Sequence, residues 1–374
     1  VFVDWFLPGY KAGGPIRSVA NLTEQLSAEF DFFIVTSNTD YSESKPYPEI
    51  KPDCWTDFAD GIRIFYFSKS FLKIRNIKKL IKNTDFDSVY INGIYSFYFS
   101  ILPQILFRKS KQKIITASRG MLSEQAFSAK NFKKKMFIAA TRIFSLYKNT
   151  IFHSTDSKEE AELNSLKLKC KGIETVPNLT RKLKQKEFRI GDKQIGILKM
   201  VSIARISPEK NTLFALEILG EFQYFGTIEF DIFGSVYNEN YWAECQKVIR
   251  KLPQNIKVNY KGNIESSKVE ETFSQYHLAF MPSVGENFGH SIIESLSAGC
   301  PVLIGNNTPW QNLETEGIGF EFPLSEKQKF TDAVKFFLNA DSETLNGMSK
   351  KAYQFAGKVM NDSEILTKTK KLFL

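Results

Sequence analysis

The chain has 374 residues, of which 43% are hydrophobic and 24% charged, with a formal net charge of +9. That length exceeds one typical core of roughly 100 to 200 residues, so two domains of similar size are expected. The composition, without repeats or long blocks of like charge, excludes a disordered or fibrous chain. Four scattered cysteines, Cys54, Cys170, Cys245 and Cys300, show no CxxC spacing and no neighbouring histidine cluster. This argues against a disulfide framework or a zinc site, and for reduced thiols in a cytoplasmic protein. No apolar run approaches the roughly 18 residues of a membrane span, so an integral membrane protein is not expected. The opening VFVDWF is strand-like without a preceding Met or signal peptide, and the natural strand is expected to begin a few residues earlier.

In chain order, the first half offers VFVDWF, a glycine-rich loop, a helix over Ile16 to Phe30, and a strand over Phe32 to Ser37. Further strands are predicted at Ile62 to Phe67, Ser88 to Gly93, Lys113 to Ser118 and Asn149 to Thr155, separated by helical patterns. Alternating strands and helices imply crossover connections and a parallel sheet. The rhythm restarts after Val176 to Asn178 and a charged, weakly patterned linker from Arg181 to Lys193. It continues with strands at Gly196 to Ala204, Ile228 to Gly234, Ile256 to Gly262, Leu278 to Ser283 and Pro301 to Gly305, and a helix over Thr212 to Phe222. The expected architecture is α/β: two doubly wound parallel-sheet domains, residues 1–178 and 179–358, binding ligands in a cleft at the carboxyl ends of their strands. A final helical stretch in 359–374, from about Asp362 to Leu374, is a candidate to cross back onto the first domain.

The charge is uneven. Residues 1–175 hold 26 Lys and Arg against 18 Asp and Glu, and the remainder is nearly balanced. The densest stretch is Lys130 to Lys148, where Phe132, Met136, Ile143, Phe144 and Tyr147 alternate with Lys133, Lys134, Lys135 and Arg142 in helical rhythm. Two readings stand side by side: a solvated outer face over an ordinary packed stripe, or a basic amphipathic helix resting on an anionic bilayer. No zinc-finger, RNP-like or helix-turn-helix signature accompanies the charge, so nucleic acid is not the expected partner.

Three loops at predicted strand ends carry candidate chemistry. Pro8 to Ser18 places Gly9, Gly13 and Gly14 ahead of a helix, where backbone N–H groups could approach an anion, although a plain glycine-rich turn explains the same residues. SIARISPEKN, Ser202 to Asn211, sets Arg205 and Lys210 five positions apart. Such a pair suits a diphosphate, with Arg chelating two oxygens and Lys a mobile point charge, or else it is solvated surface charge. GENFGHSIIE holds Glu286 in a loop and Glu294 early in the following helix, with Gly289 between them. Carboxylates so placed suit the vicinal hydroxyls of a sugar or ribose.

With these residues in place, the sequence resembles the retaining nucleotide-sugar-dependent glycosyltransferases of GT-B architecture, often called family 4 or glycosyl transferases group 1, whose signature is E-x7-E. The resemblance runs through GYKAGGPIRSV, SRGMLSEQAF, HSTDSKEEAEL, VPN, SIARISPEKN, IFGSV, YKGNI and GENFGHSIIESLSAGCPVLIG. It implies that Arg205 and Lys210 neutralise the donor diphosphate, with Gly13 and Gly14 closing from the opposite domain. It further implies that Glu286 contacts the transferred sugar and Glu294 the ribose, and that the loop of Asn287, Phe288 and Gly289 offers N–H groups. Gly234 and the segment from Gly262 to Ile264 would flank the nucleobase. No metal or further cofactor is implied, because two side-chain cations carry the charge.

The acceptor side departs from many relatives. The chain has only His153, His277 and His290, and the loop in which a histidine would be sought reads TASRGML, with Arg119 in that neighbourhood. This resembles a bacterial subgroup with an S-x-R-G-M loop; Arg119 either binds an acidic acceptor group or anchors its own loop. The implied reaction moves a hexose-type sugar to a hydroxyl of a glycan or lipid-linked acceptor with retention, in bacterial polysaccharide or glycolipid synthesis. A peripheral contact with the inner face of the plasma membrane would run through Lys130 to Lys148. The alternatives are a nucleotide-sugar epimerase of the same architecture, a glycoside hydrolase using paired carboxylates, and a non-catalytic sugar-nucleotide binding protein.

Overall fold

The computed structural model describes residues 1–122, 131–182, 193–221, 223 and 225–374. Two compact units divide the chain: Val1–Lys182 together with Asp362–Leu374, and Leu183–Asn361.

The first unit is an eight-stranded sheet of β1 (Phe2–Val3), β2 (Phe32–Ser37), β3 (Trp55–Ala59), β4 (Ile62–Phe67), β5 (Ser88–Asn92), β6 (Lys113–Ala117), β7 (Thr150–Ser154) and β8 (Gly172–Thr175), in the order β3-β4-β2-β1-β5-β6-β7-β8. All neighbours are parallel except β3, which runs antiparallel to β4. The second unit is a wholly parallel sheet of β9 (Ile197–Ile203), β10 (Thr227–Phe233), β11 (Ile256–Gly262), β12 (Leu278–Met281), β13 (Val302–Gly305) and β14 (Gly319–Phe322), in the order β11-β10-β9-β12-β13-β14.

The apolar runs are continuous because helices cover both faces of each sheet, and the two-residue period decides which core each side chain enters. In β4, Ile62, Ile64 and Tyr66 join one core, while Phe65 and Phe67 join the core on the opposite face. In β9, Leu198 and Met200 go one way and Val201 and Ile203 the other. β12 repeats the division, with Leu278 and Phe280 against Ala279 and Met281.

Three strands escape the sequence reading, and each lies at a sheet edge: β3, β8 and β14. Edge strands bury less and so carry no continuous apolar run; WTDFA and GIET are half-buried to exposed throughout. The predicted first strand shrinks to Phe2–Val3, and the helix expected from Ile16 to Phe30 spans Gly14–Leu26. It starts early because Gly13 turns the chain at φ 68° and Pro15 supplies a first-turn φ without needing a hydrogen-bond donor. The helix expected over Thr212 to Phe222 is Thr212–Glu221, and Phe222 lies outside the described residues, as do 183–192 of the predicted linker.

The last helix, Ser363–Lys371, belongs to the first unit. Asp362 caps it by accepting N–H bonds from Glu364 at 2.8 Å and Ile365 at 3.2 Å. Ile365, Leu366 and Phe373 then pack on the core formed by β1, β2 and β4, with the Phe373 ring 5.7 Å from those of Tyr90 and Phe30. Lys370 pairs with Glu29 at 2.5 Å.

Candidate functional site

In the second unit, the loops leaving β9 and β12 emerge side by side because those strands pair. The Val284 N–H donates to the Glu209 carbonyl at 2.9 Å, tying the two loops together. This brings Lys210 and Glu286 into an ion pair at 2.5 Å across 76 positions of sequence, both half-buried. Ser283 donates its hydroxyl to the same carboxylate oxygen, Oε1, at 2.7 Å, and Oε2 carries no hydrogen bond from the described residues. The Glu286 backbone N–H is held by the Asn307 carbonyl at 3.0 Å, and the Asn307 amide reaches the Val284 carbonyl at 2.9 Å. Arg205, on the other limb of the β9 loop, lies over the Tyr237 ring at 5.2 Å from its centroid, and among the described residues no carboxylate pairs with it. Its guanidinium edge therefore remains available to an anion.

The rest of the glutamate motif is fixed from behind. Trp310 donates its indole N–H to the Phe288 carbonyl and packs edge-on against the Phe288 ring, centroids 5.4 Å apart. Gly289 caps the helix His290–Ser297 in the left-handed region, φ 75° and ψ 61°, where a Cβ would meet Ile292 at 2.8 Å. Asn287 connects Glu286 to this anchored pair. Glu294 lies buried in the helix, 8% exposed. Gly234 and Gly262 meet at the ends of β10 and β11, where the Gly234 N–H donates to the Gly262 carbonyl at 2.8 Å. A Cβ on Gly234 would stand 1.9 Å from the Ala204 carbonyl oxygen, so backbone packing alone demands glycine there. A Cβ on Gly262 would meet nothing within 4 Å, and Ile264 packs against the core on that side.

In the first unit, Gly13 and Gly14 stand at the start of the helix Gly14–Leu26 with open space where a Cβ would project. Arg119, at the end of β6 with φ 51°, is engaged on every nitrogen. Nε donates to Asn92 at 2.8 Å, Nη2 to the Tyr90 hydroxyl at 2.6 Å, and Nη1 to Asn178. Tyr90 in turn donates its hydroxyl to His153 Nδ1 at 2.7 Å, because His153 Nε2 faces the Val176 carbonyl at 2.8 Å and must be the protonated nitrogen. Burial first, and the nearby Arg119 charge second, depress the His153 pKa to about 4, so the ring is neutral. Glu159, buried, accepts from the Ser118 hydroxyl at 2.5 Å and the Gly120 N–H at 2.7 Å with one oxygen, and from Thr155 twice with the other. These hydrogen bonds outweigh the cost of its burial and lower its pKa. The motifs SRG, HSTDSKEE and VPN therefore meet in one closed polar cluster, in which the guanidinium anchors its loop.

The basic stretch departs from the packed-stripe expectation. Lys130 lies outside the described residues, and the helix is Asn131–Ile143. Ile138, Thr141 and Tyr147 are buried, whereas Phe132, Met136, Ile143 and Phe144 are 75%, 57%, 76% and 66% exposed. Positions 132, 136 and 143 fall within about 40° of one another on a helix of 3.6 residues per turn, with Lys133 on one flank and Lys135 and Arg142 on the other. Among the described residues, no helix is long and apolar enough to cross a membrane, and no group of three or more His, Cys, Asp or Glu could hold a metal ion.

Tyr237, Ser283, Trp310, Tyr90 and Glu159 support the site residues without any spacing signal in the sequence that links them to the residues they contact. Residues 183–355 match the family model described as glycosyl transferases group 1. A stretch of 181 residues is 26% identical to the UDP-N-acetylglucosamine–peptide N-acetylglucosaminyltransferase GtfA subunit of Streptococcus pneumoniae, covering 46% of this chain and 34% of that protein. The chain thus spans about a third of the length of the curated relative it matches. Among solved structures, sucrose-phosphate synthase from Thermosynechococcus elongatus aligns with a TM-score of 0.73 at 15% identity, over 96% of this chain and 93% of that one. Anabaena Alr3699/HepE in complex with UDP-glucose aligns at 0.68 and 13% identity, over 98% and 97%. WaaG, a glycosyltransferase involved in lipopolysaccharide biosynthesis, aligns at 0.68 and 12%, over 99% and 98%. Residues 183–355 of the second unit are thus similar to the glycosyl transferases group 1 domain, and the chain as a whole has the two-sheet GT-B fold.

Proposed function

We propose that the protein is a retaining glycosyltransferase that moves a hexose-type sugar from a nucleoside diphosphate sugar to a hydroxyl of a glycan or lipid-linked acceptor, in bacterial polysaccharide or glycolipid synthesis. The observation that carries this reading is the half-buried Lys210–Glu286 pair, with Arg205 in the same loop as Lys210 and paired with no carboxylate among the described residues, all within the residues that match the group 1 family model. When the donor binds, its diphosphate competes for Lys210 and draws Arg205, and Glu286 turns toward the sugar hydroxyls while Ser283 keeps its orientation. Departure of the diphosphate from an oxocarbenium-like centre is the demanding event. Two preorganised cations stabilise the developing negative charge, and each such contact is commonly worth about 3 kcal/mol. The leaving phosphate accepts the acceptor proton in this scheme, so the nucleotide sugar is the sole small-molecule requirement and no metal is invoked. Glu294 is assigned to the ribose, Asn287, Phe288 and Gly289 to the sugar or phosphate through backbone N–H groups, and Gly234, Gly262 and Ile264 to the nucleobase walls.

The test is incubation with UDP-, GDP- and ADP-sugars and acceptor candidates, following free nucleoside diphosphate. Release that depends on acceptor and vanishes in Lys210→Ala supports transfer. Conversion of the donor sugar without acceptor would identify an epimerase, hydrolysis of a glycoside without nucleotide a hydrolase, and binding without turnover a non-catalytic protein.

A peripheral membrane contact is the second reading, favoured by the exposed stripe Phe132, Met136 and Ile143 between cationic flanks. Apolar side chains would enter the headgroup boundary while lysines meet anionic lipid. Co-sedimentation with vesicles should rise with anionic lipid content and fall in Phe132→Ser/Met136→Ser; indifference to both would remove the assignment.

A further inference from the structure

The loop from Pro8 to Gly14 has neither helix nor strand to hold it until its last residue, and it contains three glycines. The segment after β2 grips it instead. The Asp40 carboxylate, buried at 6% exposure, accepts the Tyr10 N–H at 2.9 Å and the Lys11 N–H at 3.2 Å on Oδ2, and the Tyr41 N–H at 2.7 Å on Oδ1. Lys11 pairs with Glu43, and the Trp5 and Tyr41 rings meet edge to face with centroids 4.8 Å apart. Tyr47 donates its hydroxyl to the Phe6 carbonyl at 3.3 Å. Gly9 lies so close to this clasp that a Cβ would come within 2.2 Å of the Tyr47 hydroxyl and 3.0 Å of the Asp40 carboxyl carbon. Close approach of the clasp therefore requires glycine at position 9.

We propose that Asp40 is a positioning residue for the donor, fixing the glycine-rich loop so that the Gly13 and Gly14 backbone is set before the diphosphate arrives. The inference rests on the reading of Gly13 and Gly14 as donor-facing. A loop with three glycines loses much conformational freedom when it closes on a ligand, and that loss subtracts directly from affinity. A carboxylate suits the task better than a hydroxyl, because its two oxygens serve three N–H donors in charge-assisted bonds. Asp40 touches none of the reacting atoms in this scheme, so its loss should act on donor affinity more than on turnover.

Steady-state kinetics of Asp40→Ala, Asp40→Asn and Gly9→Ala, using whichever of UDP-glucose, UDP-N-acetylglucosamine, GDP-mannose and ADP-glucose the wild type turns over, read this split. Asp40→Ala is expected to raise donor KM about tenfold, equivalent to about 1.4 kcal/mol, with kcat within about twofold. Asp40→Asn, which keeps one acceptor oxygen, should recover part of the loss, and Gly9→Ala should reproduce it. A folded Asp40→Ala with wild-type KM overturns the latch. Should that variant fail to fold, amide exchange in the ligand-free wild type decides: Tyr10 and Lys11 amides are expected to be protected, and exchange at the rate of an unstructured chain overturns the proposal. A wild type that neither binds UDP, GDP or ADP nor turns over any of the four sugars overturns the donor reading itself, and with it the role given to Asp40.

Discussion

The two units place charged clusters at equivalent positions, the carboxyl ends of parallel strands, and treat them in opposite ways. In the second unit, Lys210 and Glu286 hold one another while partly exposed, and Arg205 rests on an aromatic face without a counter-charge among the described residues. In the first unit, Arg119, Tyr90, His153 and Glu159 form a closed set in which each of the three guanidinium nitrogens, both imidazole nitrogens and both carboxylate oxygens has a protein partner. Partners that a ligand can exchange mark a binding surface; partners buried and mutually saturated mark a structural device. Strand-end location alone therefore does not separate function from architecture.

Substitution should break this contrast most visibly in rate. Lys210→Ala is expected to lower nucleoside diphosphate release by about 10²- to 10³-fold with little change in urea unfolding. Arg119→Ala should do the reverse. Its loss strands the Asn92, Asn178 and Tyr90 oxygens and should cost about 3 kcal/mol of stability, concentrated in the unfolding of the first unit. Equal loss of rate and stability in both variants would erase the distinction.

The first unit should also carry a pH dependence. His153 has its pKa depressed from 6.5 in an unfolded chain to about 4 when folded. Above about pH 6.5 both states are neutral and the full stability is present. As pH falls from 6.5 toward 4 the unfolded chain takes up a proton that the folded one refuses, removing about 3 kcal/mol across that window. Urea unfolding of wild type and His153→Gln between pH 7.5 and 4.5 should show a shallower decline in the variant; parallel declines would remove His153 as the source. The smallest effect is expected at Tyr237→Ala, which withdraws the face beneath Arg205 and should weaken nucleoside diphosphate binding about threefold to fivefold, with Tyr237→Phe near wild type.

Much of the fold was legible in the sequence because central strands buried on both faces read as apolar runs, as IRIFYF and LKMVSI do. The edge strands β3, β8 and β14 were not legible, since half-burial leaves mixed sequences such as WTDFA. The pairing of Arg205 and Lys210 with the glutamate loop was suggested by motif order, but the ion pair itself spans 76 positions and has no local signature. Arg119 shows the limit most clearly. Its two readings, acceptor contact or loop anchor, depend on whether Asn92, Tyr90 and Asn178 meet it, and those residues lie 27 to 59 positions away. The stripe at Phe132, Met136 and Ile143 left two readings open for a related reason, because helical periodicity identifies a face and not whether anything covers it; of the two, the packed one is overturned by the exposure of these side chains.

The most direct measurement of the central claim is nucleoside diphosphate release from a panel of nucleotide sugars, with and without acceptor glycans, by wild type, Lys210→Ala and Glu286→Gln. Acceptor-dependent release by the wild type, lost in both variants while their unfolding curves superimpose on the wild type, is the predicted result. Undiminished release in either folded variant would contradict the assignment of the Lys210–Glu286 pair.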